Sequence, residues 1–197
     1  TKGVFFMFKN RFGFKKLTLY ELCSVAMLIA LTAVLSQVSG FLRIGNISKF
    51  SVSFISVYVA AVLYGPWLGG LVGALADVIS FVANPTGGYI FWFTLIEFVN
   101  GFLFGVFFYR SNFERDSAPV FVLKAVLCSL AQLAVNMVLR TYILVDLGFV
   151  PMSFAKAFIV RLPASGSMAV LKVPVLVALE SFVPRLVRIA RKRKIAK

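Results

Sequence analysis

Six apolar runs, with most of the basic residues gathered at their ends, constrain this sequence more than any single motif does. They cover about 17 to 40, 51 to 64, 67 to 83, 90 to 109, 118 to 144 and 153 to 184, against the roughly 20 apolar residues a helix needs to cross a bilayer. With 60% of its 197 residues hydrophobic and 14% charged, the chain lacks the polar surface to hold these runs in water. Membrane is its solvent. The sequence is read as an all-α integral membrane protein with six transmembrane helices, each satisfying its own backbone in lipid.

The basic clusters then orient the bundle. Lys2, Lys9, Arg11, Lys15 and Lys16 precede the first run, Arg110 and Arg115 lie between the fourth and fifth, and Arg185, Arg188, Arg191, Lys192, Arg193, Lys194 and Lys197 follow the last. Residues of this kind stay on the cytoplasmic side, and six crossings place all three clusters there with both termini inside. Five or seven would carry one strongly basic end across. The same placement argues against nucleic acid as the partner of a chain whose net charge is +14, because the cations flank apolar runs instead of covering a soluble face. Residues 1–16 are expected to form an interfacial basic segment, 17–184 a single membrane domain and 185–197 a basic cytoplasmic tail. The first segment mixes Phe with Lys and lacks the apolar core and cleavage site of a signal peptide.

Gly65-Pro66 separates the second and third runs. Joined, they would greatly exceed one bilayer thickness, so two short helices with a turn between them are expected. Gly65, Gly69, Gly70 and Gly73 allow another backbone to approach, and Asp77 follows in a run where a charge is costly. Such a segment lines a cavity or packs tightly beside one. Pro151 and Pro163 mark expected bends in the last part of the chain. Cys23 and Cys128 both lie in apolar stretches and read as buried small side chains, not as a disulfide. There is no histidine, which removes His-based triads and His metal ligation; no metal and no cofactor are expected.

Arg43, Lys49, Arg140, Lys156 and Arg161 fall on the external side in this topology, opposed clearly by Asp146 alone. Some can snorkel to headgroups, but together they give the outer half a positive potential that would draw in an anionic solute. Beside them lie Asn84 and Thr86, whose amide and hydroxyl could read a ligand's edges, and Tyr89 and Trp92, whose rings could stack on it or form an interfacial belt. Thr94 and Glu97 continue into the fourth run, with Asn100 beyond. Gln132, Asn136 and Arg140 recur four residues apart in the fifth, so they share a helical face. These polar faces either bond one another, Glu97 with Arg140 above all, or line a site. On the first run Ala26, Ala30 and Ala33 make a small-residue face on which another helix could dock, inside the chain or outside it.

The order of these features resembles the S components of energy-coupling factor vitamin transporters. The similarity rests on the six-span topology, the Ala26/Ala30 pair, Leu63 to Asp77 (LYGPWLGGLVGALAD) and Asn84 to Tyr89 (NPTGGY), with the folate-specific branch nearest. It implies a vitamin-binding subunit, not an enzyme, in the plasma membrane of a prokaryote. Its partners would be a small folate-like vitamin, a transmembrane coupling subunit and two cytoplasmic ATPase subunits. It places Ala26, Ala30 and Ala33 on the docking surface and makes the loops after the first, third and fifth spans the gate of the pocket. For a folate-like ligand, Tyr89 and Trp92 would stack, Asn84 and Thr86 would meet polar edges, and Arg43 and Arg140 the anionic groups; Thr94, Glu97 and Asn136 complete the expected site. No Walker A run occurs, so ATP chemistry would belong to partners. An S component for another vitamin such as pantothenate, or a standalone proton-coupled transporter using Asp77 and Glu97, is the alternative reading.

Overall fold

The computed structural model describes residues 18–41, 43–44, 48–49, 52–85, 88–109, 118–148 and 153–180. The proposed N-terminal segment 1–16 and basic tail 185–197 lie outside the described residues, as do Thr86 and Pro151. The chain runs through α1 (Leu19–Phe41), a two-residue pair β1 (Arg43–Ile44) and β2 (Ser48–Lys49), α2 (Phe54–Tyr64) and α3 (Pro66–Ala83). It continues through α4 (Phe91–Phe108), α5 (Ala118–Val135), a π-helical turn (Asn136–Arg140), α6 (Thr141–Asp146) and α7 (Phe154–Glu180). The strand pair is antiparallel, Arg43 opposite Lys49, and is the one departure from an all-helical chain among the described residues.

Five helices are long and apolar enough to cross a membrane: Leu19–Val38, Pro66–Ala83, Phe91–Phe108, Pro119–Asp146 and Phe154–Leu179. The sixth, α2, has 11 residues, and at 1.5 Å per residue it reaches only about half of the hydrocarbon thickness. Gly65 is the reason it stops. Its φ of 99° and ψ of 177° lie where a side chain is strained, its N–H bonds back to the Ala61 carbonyl, and Pro66 then starts α3 with the missing N–H at a position that needs none. The expected turn is therefore present, but of the two helices it divides only α2 is short, since α3 has 18 residues. By contrast α7 runs on through Pro163 and Pro174, so Pro163 does not divide the helix.

Small residues set the closest approaches. A side chain on Gly69 would lie 2.6 Å from Ala61 Cβ, and one on Gly73 2.7 Å from the Glu97 carbonyl, which seats α3 directly on both α2 and α4. Gly101 and Gly105 answer from α4, where a Cβ would overlap the Gly69 carbonyl and the Pro66 backbone respectively. The residue order of these contacts makes neighbouring helices antiparallel. Beyond Gly105 the contact between α4 and its neighbours becomes aromatic: Tyr58 meets Phe104 and Phe108 edge-on at 5.7 and 5.2 Å, and Phe108 meets Phe121 at 5.2 Å. All four rings are fully or almost fully buried, with Val72, Cys128 and Leu176 beside them.

The outer surfaces of α1 and α7 are apolar and exposed, as lipid-facing helices require. Leu22, Met27, Leu31 and Val34 are exposed on α1, and Ile159, Val160 and Val170 on α7. Cys23 belongs to that outward face of α1, which corrects the expectation that both cysteines are buried; Cys128 is buried and both are free thiols. Ala26 and Ala30 are also exposed, whereas Ala33, at 6% exposure, turns into the chain's own interior with Thr32. Ala33 thus departs from the expected external docking face, because the last turns of α1 lean on α3. There Ser36 and Gln37 bond to Ser80, the latter from Nε2 to the carbonyl at 2.8 Å.

A polar network in the apolar bundle

The end of the bundle opposite the aromatic core carries the connections between α1 and α2, α3 and α4, and α6 and α7. A chain of polar side chains descends from it between the helices. At the top, Thr94 Oγ1 donates to Asp77 Oδ2 at 2.7 Å, which uses its only proton, so the Tyr89 hydroxyl donates to Thr94 across a second 2.7 Å bond. Tyr89 also rests its ring on Phe81 at 5.1 Å, tying the start of α4 to the end of α3. Asp77, which the sequence offered only to the alternative, proton-coupled reading, is held by Thr94. Thr94 is itself 7% exposed, one helical turn above Glu97 on the same face of α4.

Glu97 is the branch point. Its Oε1 accepts from Arg140 Nη2 at 2.6 Å, and its Oε2 accepts from Asn100 Nδ2 at 3.3 Å. The Glu97 and Arg140 side chains keep 35% and 32% of their surface exposed, enough to be reached by a small molecule. Arg140 also lies 5.5 Å from the centre of the Phe93 ring. Its Nε is buried with no hydrogen-bond partner, and so is Nη1 of Arg161 on α7. α7 packs directly on the π turn that carries Arg140.

Below the ion pair the network becomes amide-based. Asn136 Nδ2 donates to Asn100 Oδ1 at 3.0 Å, and Asn100 returns a longer contact of 3.5 Å to Asn136 Oδ1. Gln132, at 1% exposure, donates to the Asn100 carbonyl at 3.0 Å and accepts from Lys172 Nζ at 3.0 Å. Lys172 is also 5.7 Å from the Phe54 ring centre, so it links α7 to both α2 and α5. The π turn has a visible role in this arrangement. A π-helical insertion widens the backbone and commonly lies at functional positions; here the turn contains both Asn136 and Arg140, whose side chains bond to Asn100 and Glu97 of α4.

The expected site residues are therefore only partly brought together. Tyr89 and Thr94 join Asp77 in one hydrogen-bonded cluster, and Glu97, Asn136 and Arg140 join a second one turn along α4. Trp92 lines an apolar groove of about 320 Å³ with Leu95, Leu139, Tyr142 and Asp146, between α4 and α6, and Tyr89 is not part of that lining. Asn84 is exposed and ends α3 through its N–H to the Ser80 carbonyl at 3.1 Å. Arg43 contributes its backbone to the β1–β2 pair. Lys172 is a member that the sequence singled out for no role, and Asn100 and Gln132 are members that it placed only on polar faces able to bond one another or line a site. A lone Lys in the middle of the last apolar run was their clearest signal.

Comparison with known proteins adds the family context. The family model described as ECF-type riboflavin transporter, S component, matches residues 16–181. Folate transporter FolT of Clostridium novyi (strain NT) is 35% identical over 94 residues, 48% of this chain, so the match spans about half (51%) of that protein's length. Folate transporter FolT of Streptococcus mutans serotype c is 26% identical over 195 residues, 96% of this chain and 97% of that one. A crystal structure of FolT bound with folic acid superimposes with a TM-score of 0.66 over 84% of this chain and 93% of that one; at 23% identity it establishes a shared fold.

Proposed function

The chain belongs to the family of S components of ECF-type riboflavin transporters, and from that premise we propose that its own ligand is a folate. What carries the reading is the network around Glu97 and Arg140, a cluster in which three cations from two segments, Arg140, Arg161 and Lys172, stand against the two carboxylates Asp77 and Glu97. Riboflavin is uncharged and would leave that excess unpaired. A folate carries two carboxylates, which guanidinium groups bind with charge-assisted hydrogen bonds. The names of the two FolT relatives support the same ligand.

In this reading the protein is multi-pass, with both termini in the cytoplasm of a prokaryotic cell, and the short α2 makes the sixth crossing. The polar network then opens outward. Tyr89, Thr94, Asn136 and Arg140 contact the ligand or hold the residues that do, and Asn84, Thr86, Arg43 and Trp92 lie around the entrance. The exposed alanines Ala26 and Ala30 meet the transmembrane coupling subunit, whose two ATPase partners drive import. Pantothenate, also an anion, is the competing ligand. Titration of the purified protein with folate, riboflavin, pantothenate and thiamin, followed by the fluorescence of Trp67 and Trp92, separates these cases. Saturable quenching by folate at the lowest concentration is expected; tighter binding of riboflavin or pantothenate would overturn the assignment.

A further inference from the structure

An arginine N–H buried without an acceptor is costly, and a native structure that holds one calls for an explanation. Here there are two, Arg140 Nε on the π turn and Arg161 Nη1 on α7, which packs directly on that turn. A single carboxylate, that of Glu97, serves Arg140 through Nη2, and Arg161 Nη1 is left with nothing. Asp77 is engaged by Thr94. The pair is also reachable, since Arg140 and Glu97 each keep about a third of their side-chain surface. Both arginines lie roughly two turns from the same end of the bundle, Arg140 above the π turn's close and Arg161 after the start of α7.

We infer that Arg140 and Arg161 form a clamp for one carboxylate of the ligand, and that Glu97 is the stand-in that occupies Arg140 while the clamp is empty. This deepens the folate reading and rests on it. An incoming carboxylate supplies the acceptor that Arg161 lacks and bridges two like charges, and it takes over the Arg140 fork from Glu97. Arg161 is then a specificity residue for the anionic end of the ligand. Glu97 lowers affinity by competing and keeps neutral compounds from gaining anything at the clamp.

The test compares folate with folic acid dimethyl ester, which keeps the ring system and removes both charges, on the intact protein in detergent. Arg161→Met is expected to weaken folate binding by about 10- to 100-fold and to leave the ester unchanged, the range expected for a charge-assisted hydrogen bond. Glu97→Gln is expected to tighten folate by about tenfold, again with no change for the ester. Equal losses of both ligands in Arg161→Met would overturn the clamp, and a loss of both in Glu97→Gln would make Glu97 a ligand contact and not a competitor. If Arg161→Met does not fold, Arg161→Lys decides: it keeps the charge without the fork, and a smaller loss confined to folate supports the clamp while an equal loss of both ligands refutes it. Wild-type protein that binds neither compound would instead sink the folate assignment itself.

Discussion

Replacing Gly105 by alanine tests the frame that holds the polar network in place. A Cβ built at Gly105 would lie 2.5 Å from the backbone nitrogen of Pro66 and closer still to its Cα. Carbon atoms in good contact are about 3.5 to 4.0 Å apart, so α3 and α4 would have to separate by roughly 1 Å or more. Neither can yield locally: Pro66 is buried at the first turn of α3, and the same helix pair is in backbone contact again at Gly69, Gly73 and Gly101. Overpacking typically costs about 1 to 3 kcal/mol, and with backbone as the obstacle the upper end applies. For a chain of this size about 3 kcal/mol lowers Tm by roughly 6 to 12 °C. Thermal unfolding of the purified protein in detergent measures it. Gly166→Ala, at a helical position where an added Cβ meets nothing within 4 Å, is the matched control and should melt with the wild type or slightly above it. A Gly105→Ala protein that melts within about 2 °C of Gly166→Ala would refute the backbone contact between α3 and α4.

Other expectations follow from the network and the surface. Thr94→Val removes the donor to Asp77 and the acceptor of Tyr89 at constant shape; it should cost about 1 to 3 kcal/mol and weaken ligand binding, whereas Thr94→Ser should keep both, as read by melting and titration. Gln132→Leu strips the partner from Lys172 and from the Asn100 carbonyl, so it should destabilise more than Leu133→Ala would at the neighbouring, partly exposed position. Tryptophan at Ala26 or Ala30 should leave folding and ligand binding intact while blocking co-purification with the coupling subunits. Tryptophan at buried Ala33 should instead lower Tm, and an unchanged Tm there would show that the end of α1 is not seated on α3.

Much of this architecture was legible in one dimension because a bilayer imposes simple rules. Span length and the Gly65-Pro66 break each act through local chemistry, and the helices begin and end close to the expected positions. The polar face Gln132–Asn136–Arg140 was equally visible, since residues four apart share a face of any helix. Nothing local, however, specifies which face of a second helix will answer it. Glu97 could have paired with Arg140 or stood free; the depth of α4 against α5, where Phe108 meets Phe121 and Gln132 bonds the Asn100 carbonyl, makes the pair.

The same reasoning separates the other outcomes. Cys23 and Ala33 carry small side chains that suit a buried or an exposed position equally, so only the seating of α1 on α3 puts one outside and the other inside. Tyr89 and Trp92 are three residues apart and looked like one stacking platform, yet the Thr94 bond and the Phe81 ring draw Tyr89 toward α3 while Trp92 lines the groove beside α6. By itself, then, the sequence determined that the chain is a helical membrane bundle, where its helices break and which residues are polar within it, because hydropathy, glycine and charge act over a turn or two. Only the tertiary structure decided that Glu97 of α4 meets Arg140 of the π turn while Arg161 Nη1 on the neighbouring α7 is buried without an acceptor, because that juxtaposition depends on how far one helix slides along another.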